Sequence, residues 1–306
     1  MIGLLLAAAL LGPTATEVSV PSEPAPLFGT LLQPQGEARA AAVILPGSGP
    51  TDRDGNSPLG VSAATYRLLA EGLAEAGIAT VRIDKRGIGK SAPAAVFEDQ
   101  LRFSHDAEDA RAWAREAARL TGRLCVWLIG HSEGAMVALA AVEQPEPAVC
   151  GLVLLSGPGR PVGQSLREQL ASVPEPLKAQ AFATLAELEA GRTVAEPPAQ
   201  LAGLFRPSVQ PYFISMLAQR PAEMAGAYAG PIFIGQGSTD VQVPVADAEV
   251  LKAARPDATL KLWDGVNHVL KLAPAERAAN LSTYSAPGMP LAPGVVADVA
   301  AFILSH

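Results

Sequence analysis

Six short apolar runs, each closed by Gly, Pro or Asp, constrain the fold of this chain more than any other feature. They are AAVILPGSG from Ala41, ATVRIDKRG from Ala79, LCVWLIG from Leu124, CGLVLLSG from Cys150, PIFIGQGSTD from Pro231 and TLKLWDG from Thr259. Near-continuous Val, Ile and Leu over such lengths is the signature of strands buried on both faces. Segments with apolar residues at helical spacing lie between them, among them TYRLLAEGLAEAGI ending at Gly77, HDAEDARAWAREAARLTG ending at Gly122, and VADAEVLKAAR. Strands alternating with helices predict an α/β fold, a mostly parallel sheet covered by helices. LFGTLLQPQ from Leu27 reads as an edge strand or hairpin at the start of the sheet, and GVVADVAAFILSH as a final helix.

The rhythm breaks from about residue 160 to 230. REQLASVPEPLKAQAFATLAELEAG and PYFISMLAQRPAEMAGAYAG read as short helices divided by proline, with no strand-like run between them. We read this stretch as a helical cap inserted into a sheet domain spanning 27–306. An unrelated second domain is the alternative, and about seventy residues is small for independent folding.

With 306 residues and 49% hydrophobic composition the chain is long enough for a large core. A net charge of −7 and no Lys/Arg run argue against nucleic acid or an anionic membrane surface as partner, which leaves a small molecule as the substrate class. The apolar run Ile2 to Leu11 followed by a Pro/Ser/Thr/Glu-rich stretch predicts a signal peptide over 1–16, a linker over 17–26, and export to the periplasm or medium; the run is too short to span a bilayer. Its n-region lacks Lys and Arg, and a non-functional leader would leave the protein in the cytoplasm. Cys125 and Cys150 each open a strand-like run, either as two buried small hydrophobes or, if the strands are neighbours, as a disulfide.

Ser132 stands between Gly130 and Gly134 where LCVWLIG gives way to EGAMVALAAVE, so the expected order is strand, sharp turn, helix. That context is what a nucleophile elbow requires, whereas G-x-S-x-G alone occurs by accident. A serine hydroxyl needs a base, and the base an orienting acid. Of four histidines, His131 has its backbone tied up in the turn, His105 lies upstream before a helix and His306 is the last residue. His268 follows the last strand and therefore shares the carboxyl edge of the sheet with Ser132, so we take it as the base. Asp240 follows the preceding strand at the same edge and is taken as the acid, with Asp264 as rival.

GHSEG, GSTDVQVP and GVNHVLK, with LPGSGPTDRDGN and DKRGIGKS, resemble the α/β-hydrolase superfamily, in particular bacterial serine esterases whose oxyanion loop reads PGSGP..RDGN. The resemblance covers nearly the whole chain after the leader. It implies the α/β-hydrolase fold, serine hydrolase activity and a preference for small carboxylic esters, with a serine peptidase, a thioesterase or a non-catalytic ligand binder as alternatives. An acyl oxyanion needs two backbone N–H donors, one from the residue after the nucleophile, Glu133. Matching Pro46 and Gly47 to the His-Gly turn of related enzymes makes Ser48 the second, with Gly47 or Gly49 as offsets. Phe205, Tyr212 and Phe213 of the cap are candidate pocket lining, or alternatively cap packing. DRDGN lacks the rest of a calcium loop, and RGIGKS has Asp84 where a phosphate loop needs glycine. Asp52, Arg53 and Asp54 are expected to pair with Lys85 or Arg86 and hold the oxyanion loop. Histidines and cysteines lie too far apart for metal-ligand spacing, and such a triad needs no cofactor.

Overall fold

The computed structural model describes residues 12–306, so the leader expected over 1–16 lies for the most part outside the described residues. Eight strands form one sheet in the order β1-β2-β4-β3-β5-β6-β7-β8. They are β1 (Thr14–Val20), β2 (Leu27–Gln33), β3 (Ala40–Leu45), β4 (Ile78–Ile83), β5 (Val126–His131), β6 (Val149–Leu155), β7 (Ile232–Gly237) and β8 (Thr259–Trp263). From β4 to β8 every pair is parallel, while β2 runs antiparallel to both β1 and β4. β3, β4 and β5 are buried almost throughout, as their Val/Ile/Leu runs require.

Two readings of the sequence need correction. Residues 17–20 belong to β1 rather than to a linker, because Thr14–Val20 pairs residue for residue with β2. Of the two readings of LFGTLLQPQ the hairpin holds: β2 pairs with β1 on its outer side and is an interior strand. β8 is not buried on both faces: Thr259, Lys261 and Leu262 are exposed, since β8 is the sheet edge and its TLKLW pattern alternates.

Helices α1 (Thr65–Glu75), α2 (Phe103–Thr121) and α3 (Glu133–Ala141) follow β3, β4 and β5. α2 stops where Gly122 takes a left-handed φ of 65°, and its backbone N–H caps the Ala118 and Arg119 carbonyls. Between β6 and β7 lie α4 (Val162–Leu170), α5 (Leu177–Glu189), α6 (Ala202–Phe205), α7 (Gln210–Leu217) and α8 (Pro221–Ala227). α9 (Val245–Ala254), α10 (Arg277–Ser282) and α11 (Val295–Ser305) complete the chain. α2, α3 and α9 cover one face of the sheet, α1 and α11 the other. The α4–α7 helices enclose a smaller core of their own, built on Leu170, Leu185, Leu188, Phe205 and Leu217. Among the described residues no helix is long and apolar enough to cross a membrane.

Cys125 and Cys150 form a disulfide at the amino ends of β5 and β6, the edge opposite Ser132, with Cα atoms 5.2 Å apart. The strands are adjacent and in parallel register, so the second of the two sequence readings holds.

Candidate active site

Ser132 follows the last residue of β5 and caps α3, with φ 56° and ψ −122°. A non-glycine residue there stores strain of order 1–3 kcal/mol and persists only where its surroundings enforce it. The surroundings explain both flanking glycines. A Cβ on Gly130 would run into the Gly134 carbonyl, and one on Gly134 into the carbonyls of Leu45 and Pro46. Neither position tolerates a side chain, so the turn is as tight as its backbone allows.

His268 Nδ1 lies 2.8 Å from Asp240 Oδ2. The Asp240 side chain is fully buried, and its Oδ1 accepts the N–H groups of Gln242 at 2.8 Å and Val243 at 2.9 Å. Burial pushes this carboxyl up, but the His268 ring and the two N–H donors outweigh it and hold it below the usual range. An ionised Asp240 accepts a hydrogen bond from His268 Nδ1–H, which keeps the proton on Nδ1 and leaves Nε2 as the acceptor nitrogen. The rival Asp264 is exposed and accepts from Ser238 Oγ, so it does not orient the imidazole. The structure brings Asp240 and His268 together and places Ser132 at the same sheet edge, where Ser132 Oγ makes no direct hydrogen bond to His268. The nearness of the segments is seen instead in the ring of His131, whose centroid lies 4.8 Å from that of His268.

His131 proves more than a turn residue. The Tyr66 hydroxyl accepts the Gly47 N–H at 2.9 Å and donates to His131 Nδ1 at 2.9 Å; His131 Nε2 then donates to the His268 carbonyl at 2.7 Å. One chain of hydrogen bonds thus ties the PGSGP loop, the serine turn and the histidine loop. Burial, helped by the nearby His268, pushes His131 down to about 3, so it stays neutral with this tautomer. Asn280, also fully buried, donates to the Thr239 carbonyl and accepts from Asn267, joining the Asp240 and His268 loops.

Gly47 packs so closely on the turn that a Cβ there would sit 3.2 Å from Ser132 Cβ. Its N–H is committed to Tyr66, which removes Gly47 as an oxyanion donor. The backbone N–H groups of Ser48, the offset Gly49 and Glu133 donate to no protein acceptor among the described residues. The expected pairing of this loop is corrected. Asp52 Oδ1 caps its own turn by accepting from the N–H groups of Asp54 and Asn56, Arg53 pairs with Asp84 at 2.6 Å, and Asp54 with Arg82. Arg86 pairs with Asp109 at 2.7 Å, and Lys85 donates to the Gly47 carbonyl at 2.6 Å.

Of the cap residues, Phe205 is fully buried against Phe213 and the cap's own core, so it packs the cap rather than lining a pocket. Phe213 bridges that core and the main one. Tyr212 reaches down to the sheet domain: its hydroxyl lies 2.8 Å from Asp106 and 3.1 Å from Glu133. Burial raises both carboxyls, opposed by the Lys85 charge. Among the described residues no cluster of His, Cys, Asp or Glu is arranged to hold a metal ion.

An eight-stranded sheet in this order, with Ser132 after β5, Asp240 after β7 and His268 after β8, decides the architecture. The fold is the α/β-hydrolase fold. Solved structures agree. Est1E from Butyrivibrio proteoclasticus, in a structure with ferulic acid bound, superposes with a TM-score of 0.61 at 16% identity, covering 94% of this chain and 100% of that one. An esterase domain from Rhodothermus marinus gives 0.55 at 16% identity, over 95% and 99% of the two chains. Dienelactone hydrolase from Anabaena variabilis gives 0.54 at 20% identity, over 97% and 99%. Residues 59–195, under half of the chain, match the family described as serine aminopeptidase, S33. No curated protein sequence matches.

Proposed function

We propose that the protein is a serine hydrolase that cleaves small carboxylic esters through an acyl-enzyme. The observation that carries this reading is the 2.8 Å His268–Asp240 bond at the edge where the strained Ser132 emerges. Ser132 Oγ attacks the ester carbonyl as its proton passes to His268 Nε2. The Ser48 and Glu133 N–H groups hold the oxyanion, and collapse expels the alcohol, which takes the proton back from His268. Water, deprotonated by the same histidine, then attacks the acyl-serine and releases the acid.

The S33 match favours a second reading, hydrolysis of peptides with a free amino terminus, which needs an unpaired carboxylate near Ser132 for the substrate ammonium. Glu187 and Glu189 are instead paired with Arg192 and Arg167. Glu223 lines a groove with Leu139, Val142 and Glu143, at the far end of α3 from Ser132. A helix of that length separates the two by roughly 13 Å. The nearer carboxylates, Glu133 and Asp106, are taken up by the Tyr212 hydroxyl, with Lys85 3.9 Å from Glu133, so ester hydrolysis is the better supported.

The test pairs fluorophosphonate labelling with p-nitrophenyl esters from acetate to palmitate and amino-acid p-nitroanilides. Label on Ser132 with ester turnover favouring short chains is the expected result. Preference for the anilides overturns the ester assignment, and an unlabelled protein overturns the hydrolase.

We further propose that the protein is exported. The Cys125–Cys150 disulfide supports this, because such bonds persist mainly in oxidising compartments. With 25 residues of sequence separation, its chain-entropy contribution is about 3.5 kcal/mol. Urea unfolding with and without dithiothreitol is expected to show a loss of up to that size. Ester turnover by the reduced, still-folded protein should be unchanged, since the bond sits at the opposite edge of the sheet; a fall in turnover would contradict that separation.

A further inference from the structure

The PGSGP loop presents a problem that the two-donor scheme leaves open. Ser48 lies between Gly47 and Gly49, the latter at φ 68°, and glycine-flanked peptides are the least restrained backbone available. The Tyr66 hydroxyl fixes the N–H of Gly47 but not the next peptide plane, which remains able to turn over about Gly47 ψ and Ser48 φ. A peptide in the flipped state would aim a carbonyl oxygen, not an N–H, at the developing oxyanion.

Lys85 stands where it prevents this. It follows β4, the strand beside β3, so its stem runs along the same carboxyl edge as the loop. Its ammonium donates to the Gly47 carbonyl at 2.6 Å and lies 3.9 Å from Glu133 Oε1, with the side chain only 15% exposed. Glu133 is itself pinned by Tyr212 from the cap, which also holds Asp106. We infer that Lys85 is a positioning residue for oxyanion stabilisation, its ammonium locking the Gly47–Ser48 peptide with the Ser48 N–H facing the reacting carbonyl. In a planar trans peptide the C=O and N–H point in opposite directions, so fixing the oxygen fixes the proton. A charge-assisted bond to the carbonyl also draws electron density toward oxygen and makes the N–H on the other end a stronger donor. The inference rests on the serine hydrolase reading proposed above.

Three readouts separate positioning from a merely structural role. Lys85→Met is expected to lower kcat for p-nitrophenyl butyrate about 10- to 100-fold with KM within about threefold, since one correctly aimed oxyanion donor is worth more than that range when lost outright. Inhibition by phenylboronic acid, whose serine adduct carries the tetrahedral anion, is expected to weaken by a similar factor. The third is rescue. Both native cysteines are bonded to each other, so Lys85→Cys supplies the one thiol for alkylation. Bromoethylamine rebuilds a near-isosteric ammonium, and kcat is expected to recover most of its loss; iodoacetamide adds a neutral group and should not restore it. Alkylation in urea before refolding serves if either variant folds poorly.

Equal kcat in wild type and Lys85→Met, or equal rescue by both reagents, overturns the inference while leaving the hydrolase reading intact. A wild type that neither labels with fluorophosphonate nor turns over any ester overturns the reading, and the inference with it.

Discussion

Ser132→Ala is expected to lower kcat for p-nitrophenyl esters by on the order of 10⁶-fold, the cost of removing a triad serine where that has been measured in other enzymes. That factor corresponds to about 8 kcal/mol of transition-state stabilisation. What remains should still exceed the rate in water, because the N–H groups of Ser48 and Glu133 are backbone and survive the substitution. The same position makes an opposite prediction for stability. A residue at φ 56°, ψ −122° lies in territory that glycine occupies without cost. Ser132→Gly is therefore expected to stabilise the fold by roughly 1 kcal/mol while abolishing turnover, the relation expected where strain is retained for chemistry. Parallel urea titrations and ester assays read both. A Ser132→Ala protein within tenfold of wild type would mean that another residue is the nucleophile.

That turn was legible because its strand–turn–helix context is local: Gly130 meets the backbone of Gly134 and Ala135 in α3, whereas the Leu45 and Pro46 carbonyls that exclude a side chain at Gly134 arrive only through the pairing of β3 with β5. The central strands were legible for the same reason: runs such as AAVIL and LCVWLIG carry their burial in their composition. Where burial is not uniform the pattern misleads. TLKLW contains three apolar residues of five, yet β8 has a neighbour on one side only and leaves Leu262 exposed. TATEVSV has few apolar residues, and β1 exists because β2 offers it an antiparallel edge, not because its own sequence demands a strand.

The supporting polar groups were beyond reach for a different reason. Tyr66 meets His131 across 65 positions, His131 meets His268 across 137, and Asn280 meets Thr239 across 41. No periodicity or spacing records such partners; they become visible only when the sheet order places the loops after β3, β5, β7 and β8 along one edge. His131 had one signal, its position beside Ser132, and the backbone role it plays there concealed the side-chain role. Phe205 was open to either reading, since an aromatic residue in a cap can line a pocket or fill the cap's own core, and it is fully buried in that core.

Asp240→Asn carries the second large effect. The carboxylate accepts four bonds from the folded chain, at 2.8 Å from His268 Nδ1 and Gln242 N, 2.9 Å from Val243 N and 3.3 Å from Gln236 Nε2, and has no access to solvent. An amide of nearly the same shape keeps an oxygen for the two backbone donors, but turns an NH₂ toward His268. The imidazole then carries its proton on Nε2, the nitrogen that accepts from Ser132 in the mechanism proposed above, and a loss of about 10⁴-fold in kcat at neutral pH is expected. The stability profile provides an independent check of sign. The folded Asp240 lies below its unfolded value of about 3.9, so its contribution is fully present above that pH and is lost as pH falls through the folded value. Wild type should thus lose stability relative to Asp240→Asn only below about pH 4, and the two unfolding curves should run parallel above it. A constant difference between them down to pH 2 would mean that Asp240 is not held ionised by its neighbours, and the tautomer argument would fall with it.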